Sequence, residues 1–147
     1  MKKSGIINPD LARELAALGH YDAFVICDMG FPIPRDAVRI DLTLVAGVPR
    51  FLPVLRACLR EVAVQEMVLL EGIKTANPEL DQAIGALRTH QELRYVSLPE
   101  FRNQAKGAAF YVRIGETLPC SNIYLVSASG VAERAAYYDI AIEAAEV

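Results

Sequence analysis

The stretch Gly19–Leu44, GHYDAFVICDMGFPIPRDAVRIDLTL, constrains this chain more than any other. Ala23-Phe24-Val25-Ile26-Cys27 is a short apolar run between polar residues, the pattern of a strand covered on both faces. His20 precedes it and Asp28 follows it directly. Pro32 and Pro34 can neither continue a strand nor open a regular helix there, so Met29 to Asp36 reads as a rigid loop. Arg39 to Leu44 then alternates polar and apolar, as a half-buried strand does. A rigid loop between two strands, with ionisable groups at its base, suits the holding of a small polar molecule.

The remaining elements alternate in kind. Asn8-Pro9-Asp10 is a helix start, with Leu11, Leu15 and Leu18 on one face and Gly19 as a left-handed stop. That puts His20 just past a helix C-terminus. Gly47-Val48-Pro49 opens a second helix, with Pro53 in its first turn and Phe51, Leu52, Leu55, Leu59 and Val62 as its apolar stripe. Met67 to Leu70 is a buried strand ending at Glu71. Asn77-Pro78-Glu79 starts a helix that runs to about Thr89, and Arg94 to Ser97 is a short strand. Ser97 with Glu100 forms a capping box for a helix from Leu98. Ala108 to Ile114 and Ile123 to Ser127 are two more strands. From Val131 an Ala-rich stretch predicts a terminal helix, with Ala135, Tyr138, Ile142 and Ala145 along one side. Six strands alternating with helices define an α/β layered domain with a largely parallel sheet.

Composition narrows the partners. With 147 residues the chain is one domain, long enough for a core, and its 53% hydrophobic content argues against disorder. A net charge of −3 leaves no basic footprint for nucleic acid and no polybasic patch for a membrane. No long apolar run follows Lys2 and Lys3, so neither a signal peptide nor a membrane span is expected. Cys27, Cys58 and Cys120 are odd in number and far apart, which suits reduced thiols in a cytoplasmic protein. They show no metal-ligand spacing with the two histidines, so no metal is expected. No GxGxxG, P-loop or GxSxG motif occurs.

LGHYD around His20, CDMGFPIP, RIDLTLVAGVPRF, IKTANPEL and RIGETLPCSNIYL together resemble the RbsD/FucU family of D-ribose pyranases and L-fucose mutarotases. The likeness runs to about Val131 and is closer to the pyranase branch. It implies a three-layer α/β/α sandwich with a mixed, largely parallel sheet of about six strands. It also implies a cofactor-free cytoplasmic isomerase of monosaccharide ring forms, with sites at subunit boundaries of a ring-based homo-oligomer, usually a decamer. By the same resemblance His20 is the catalytic histidine, and Asp28 and Asn122 bind sugar. Cys120 stands where the family has a sugar-binding tyrosine, and Leu98 where it has histidine or arginine. Residues 1–147 are then one family domain, in which 132–147 form a helical extension beyond the usual end, covering the pocket mouth or extending a subunit contact.

The chemistry implied is modest. A base takes the anomeric proton, an acid protonates the ring oxygen, and the opened sugar recloses through another hydroxyl. One imidazole serves both roles near neutral pH. A carboxylate and an amide orient the hydroxyls. Each residue also has a plainer role. His20 could cap a helix, Asp28 the proline loop, and Asn122 a turn; Cys120 could be an inert small residue and His90 solvated surface. Arg102 is a candidate for the donor that Leu98 lacks, and Glu71 with Lys74 reads as a surface or interface pair. His20 lies eight residues before Asp28. At about 3.3 Å per residue a straight path holds them too far apart for one sugar. Either the chain bends at His20-Tyr21-Asp22, the arrangement expected here, or the two serve different copies of the site. The rival functions are a sugar-binding or regulatory protein without turnover, and a mutarotase for another sugar such as L-fucose.

Overall fold

Strand β1 (Ala23–Cys27) forms where the apolar run predicts it, and all five of its residues are buried. Its side chains alternate between two cores. Phe24 and Ile26 join one, and Ala23, Val25 and Cys27 the other, as the twofold period of a strand requires. The computed structural model describes residues 1–141. In it β1 lies inside a six-stranded sheet with β2 (Arg39–Asp41), β3 (Val64–Leu70), β4 (Glu92–Val96), β5 (Phe110–Arg113) and β6 (Ile123–Ser127). The order is β2-β5-β1-β6-β3-β4. The β2–β5, β5–β1 and β3–β4 pairs are parallel, and β6 runs antiparallel to both its neighbours.

Helices cover both faces. On the Phe24 side lie α1 (Pro9–Ala16), α2 (Phe51–Glu61) and α4 (Pro78–Leu87), which bury Leu11 and Leu15, then Phe51, Leu55 and Leu59, then Leu80, Ile84 and Leu87. On the Val25 side α5 (Leu98–Ala105) contributes Phe101 and Ala105, and Ile33 of the proline loop fills the space beside them. The layered α/β architecture follows the sequence reading. So do three helix starts: Asn8 Oδ1 accepts from Leu11 N at 2.9 Å, Ser97 Oγ accepts from Glu100 N at 3.4 Å, and Pro78 sits at the head of α4.

The bounds of β3, β4, β5, α2 and α4 shift by a few residues, and four further details differ from the sequence reading. Helix α1 ends at Ala16, and the left-handed residue is Tyr21 (φ 70°), not Gly19. The reversal falls there because Tyr21 N donates to Ser127 O and Ser127 N donates to Asp22 O, which docks the turn onto the end of β6. Strand β2 stops at Asp41: after Leu42 N bonds Arg113 O, the chain folds into its own turn, with Leu44 N donating to Val48 O. A one-turn helix, α3 (Ile73–Ala76), intervenes before α4. The terminal helix α6 (Ala132–Tyr137) ends before Tyr138, while Ile142 and Ala145 lie outside the described residues.

Candidate functional site

Asp28 leaves β1 at the edge of the sheet where the parallel strands end, the place where open α/β sheets hold ligands. Its backbone N donates to Asn122 Oδ1 at 3.1 Å, and Asn122 Nδ2 donates back to Asp28 Oδ2 at 2.8 Å. Asn122 is buried just before β6, so antiparallel pairing of β6 with β1 puts the two residues side by side. Gly30 N donates to Asp28 Oδ1 at 2.9 Å, so this carboxylate caps the proline loop as well. A carboxylate has about four lone-pair positions. The two oxygens of Asp28 therefore keep acceptor capacity at a half-buried, outward-facing edge.

The loop carrying Asn122 is held from two sides. Asn77 Nδ2 donates to Pro119 O and to Ser121 Oγ. Glu116, only 4% exposed, accepts from Phe51 N, Thr117 N and Leu118 N and from the Arg50 guanidinium at 3.0 Å. Burial alone would push this carboxyl up, but the N–H groups of Phe51, Leu118 and Thr117 and the Arg50 cation outweigh it and hold the carboxyl below its ordinary value. Glu116 is not among the candidate residues of the sequence reading. Its signal was a lone carboxylate between Gly115 and an otherwise uncharged loop.

Cys120 adjoins Asp28 and takes a left-handed backbone (φ 58°). Burial, and then the Asp28 charge, push its thiol up, so it stays protonated near neutral pH and is no nucleophile. Leu98 opens α5 on the same sheet edge, beyond the end of β4, and is 51% exposed. Arg102 follows on the same helix, facing the proline loop. It lines a cavity of about 150 Å³ with Phe31, Pro34 and Tyr111.

His20 is elsewhere. It lies at the opposite edge, where β1 and β3 begin, and its Nε2–H faces Gln65 Oε1 at 3.2 Å. In the neutral tautomer that donates Nε2–H to this amide oxygen, the lone pair lies on Nδ1. The ring stacks on Tyr21 at 3.8 Å between centroids. It caps no helix. A cleft of about 470 Å³ opens beside it, walled by Gln65, Glu66, His90, Glu92 and Tyr138 among others. The expected fold-back of His20 over Asp28 is therefore absent within one chain. Tyr21 does turn the backbone, but the turn is pinned to Ser127 at the starting end of β1. Gln65 and the cleft were not legible in the sequence, because nothing local links position 20 to position 65.

A carboxylate–amide clasp thus lies at the carboxyl edge of a mixed α/β sheet, and an imidazole beside a polar cleft lies at the other edge. The sequence model of the RbsD / FucU transport protein family matches residues 1–132, and the chain belongs to that family. It is similar to the D-ribose pyranase of Geobacillus thermodenitrificans (strain NG80-2), with 46% identity over 127 residues, 86% of this chain and 96% of that one. The D-ribose pyranase of Klebsiella pneumoniae (strain 342) is 39% identical over 133 residues, covering 85% and 96%. The solved structure of Bacillus subtilis RbsD complexed with D-ribose superposes with a TM-score of 0.85 at 37% identity, covering 89% of this chain and all of that one.

Proposed function

We propose that this protein is a ring-form isomerase of monosaccharides, interconverting pyranose and furanose forms of D-ribose or a related sugar. The observation that carries this reading is the Asp28–Asn122 clasp at the strand ends of a chain 46% identical to a D-ribose pyranase. Asp28 and Asn122 orient the sugar hydroxyls. Nδ1 of His20 takes the anomeric proton and passes it to the ring oxygen as the C1–O ring bond breaks; another hydroxyl then adds to the aldehyde carbon, and its proton moves by the same imidazole to the carbonyl oxygen. No electron changes hands, so the reaction calls for no cofactor.

Because His20 and Asp28 leave opposite ends of β1, the reading requires two copies. One copy presents its His20 edge to the Asp28 edge of the next. A homo-oligomer with sites at its boundaries follows from this, and a ring-based decamer is the form proposed. Among the described residues no helix is long and apolar enough to cross a membrane. Burial pushes the thiols of Cys27 and Cys58 up to about 12, so both are unreactive; a cytoplasmic location is part of the proposal.

A second reading is a sugar-binding protein of the same fold without turnover, or a mutarotase for another sugar such as L-fucose. It is favoured by Leu98 and Cys120, which give the Asp28 edge an apolar side chain and a protonated thiol. Proton exchange NMR on D-ribose, with and without protein, separates the two. Exchange between ring forms that speeds up with protein and is lost in His20→Ala supports the isomerase. Saturation transfer to ribose without faster exchange supports the binding protein.

A further inference from the structure

The chain continues past the family match, which ends at residue 132, whereas its relatives are covered almost from end to end. The segment that follows comes back to the His20 cleft. Arg134 of α6 and Tyr138 just after it line that cleft together with His20, Gln65 and Glu92. The segment is fixed there by several independent contacts. Gln91 Nε2 donates to Tyr138 O, Thr89 Oγ1 donates to Asp139 O, and Ala141 N donates to Leu87 O. Ile140 is buried in the same core as Leu87. His90 stacks on Tyr137 at 4.0 Å, and Tyr137 meets Tyr138 edge-on at 5.0 Å. His90, which read as solvated surface, is thus part of the mounting.

The mounting gives Arg134 a fixed base, and the arginine is exposed toward the cleft. Its guanidinium carries no ion pair among the described residues. Of the acids facing the same space, Glu66 is bonded to Arg94 and Glu92 is exposed. An arginine presents a fork of five N–H donors, matched to oxygen acceptors. A tyrosine ring beside it offers a flat apolar surface with a polar tip.

We infer that Arg134 and Tyr138 are specificity-determining residues of the sugar site, carried to the His20 side of the bound sugar by the segment beyond residue 131. The inference rests on the isomerase reading for the identity of the ligand. Arg134 travels with His20, so it meets the sugar from the copy opposite Asp28. It supplies a donor that Leu98 does not. The other half of the cleft is acidic and accepting. Together they suit a neutral polyhydroxylated ligand better than an anion.

The test uses the full chain and its Arg134→Ala, Arg134→Lys and Tyr138→Ala variants. D-ribose and L-fucose are the probes, and both exchange rate and saturation transfer are read. Arg134→Ala should raise the half-saturating ribose concentration about tenfold, the loss of one charge-assisted hydrogen bond, and more than it lowers the maximal rate. Arg134→Lys should recover part of that loss. Unchanged half-saturation and an unchanged ribose-to-fucose preference in both Ala variants would overturn the inference. If the wild type exchanges neither sugar, the isomerase reading falls while saturation transfer still decides this one. Weaker transfer to Arg134→Ala than to wild type sustains it; equal transfer, or none to the wild type, ends it. The variants change exposed or half-buried side chains, and a melting curve alongside excludes unfolding.

Discussion

His20 and Asp28 stand at the two ends of one strand, with the five buried residues of β1 between them. At about 3.3 Å per residue that strand alone spans roughly 16 Å, more than a monosaccharide can bridge. Whatever holds these two groups to one ligand must therefore join two chains. The exposed position of both residues' edges and the polar cleft at His20 are what such a junction needs.

The clasp between Asp28 and Asn122 makes a direct prediction. Asn122→Ala leaves the Asp28 N–H without its acceptor and the Asp28 carboxylate without one donor. Leaving such half-buried groups unsatisfied costs about 1–3 kcal/mol. Denaturant unfolding should register that loss, and ribose binding should weaken at least tenfold by saturation transfer. Asn122→Asp should be worse for binding, since it sets a second carboxylate against the first.

Glu116 governs acid stability. Its carboxyl is held below the ordinary value of 4.5 in the folded chain. A depressed folded pKa contributes stability that is complete above the unfolded value and is lost as pH falls through the folded one. Glu116→Gln should therefore destabilise the protein at pH 7 by roughly 2 kcal/mol, in the range of charged hydrogen bonds. The gap between variant and wild type should shrink progressively below about pH 4.5, the ordinary value of the group. Urea midpoints collected across pH 3 to 7 check this, and a gap that stays constant would refute it.

Gln65 is the hydrogen-bond partner of the His20 ring, and the proposed mechanism makes it a positioning residue. Its Oε1 accepts from Nε2–H of His20 and so leaves the lone pair on Nδ1. Gln65→Leu removes that preference and should lower the maximal exchange rate about tenfold, a fraction of the roughly 10²–10⁴-fold that general acid–base catalysis contributes. Ribose half-saturation, which rests on Asp28, Asn122 and Arg134 in this account, should change little. A rise in half-saturation with the rate preserved would place Gln65 in binding instead.

Local patterns carried much of the fold into the sequence. Ala23–Cys27 and Ile123–Ser127 are strands with the bounds that their apolar runs predict. Asn8 and Ser97 cap because a short polar side chain ahead of an apolar stripe has few other uses. Asp28 and Asn122 were individually legible as candidates, but their bonding across ninety-four positions was not. Tertiary pairing decided the rest. The docking of Asp22 and Tyr21 on Ser127 moved the left-handed residue off Gly19, and the turn at Leu44 and Val48 cut β2 short. The edge on which His20 emerges depends on strand order, which no local pattern encodes.

Sharing of the site between chains is open to one decisive experiment. His20→Ala and Asp28→Asn chains, each carrying a different affinity tag, are co-expressed, and assemblies containing both are isolated by sequential capture. Mixed assemblies should regain faster ribose ring exchange that neither variant has alone, because some boundaries then pair an intact His20 edge with an intact Asp28 edge. Mixed assemblies as inactive as each parent, against an active wild type, would contradict the account.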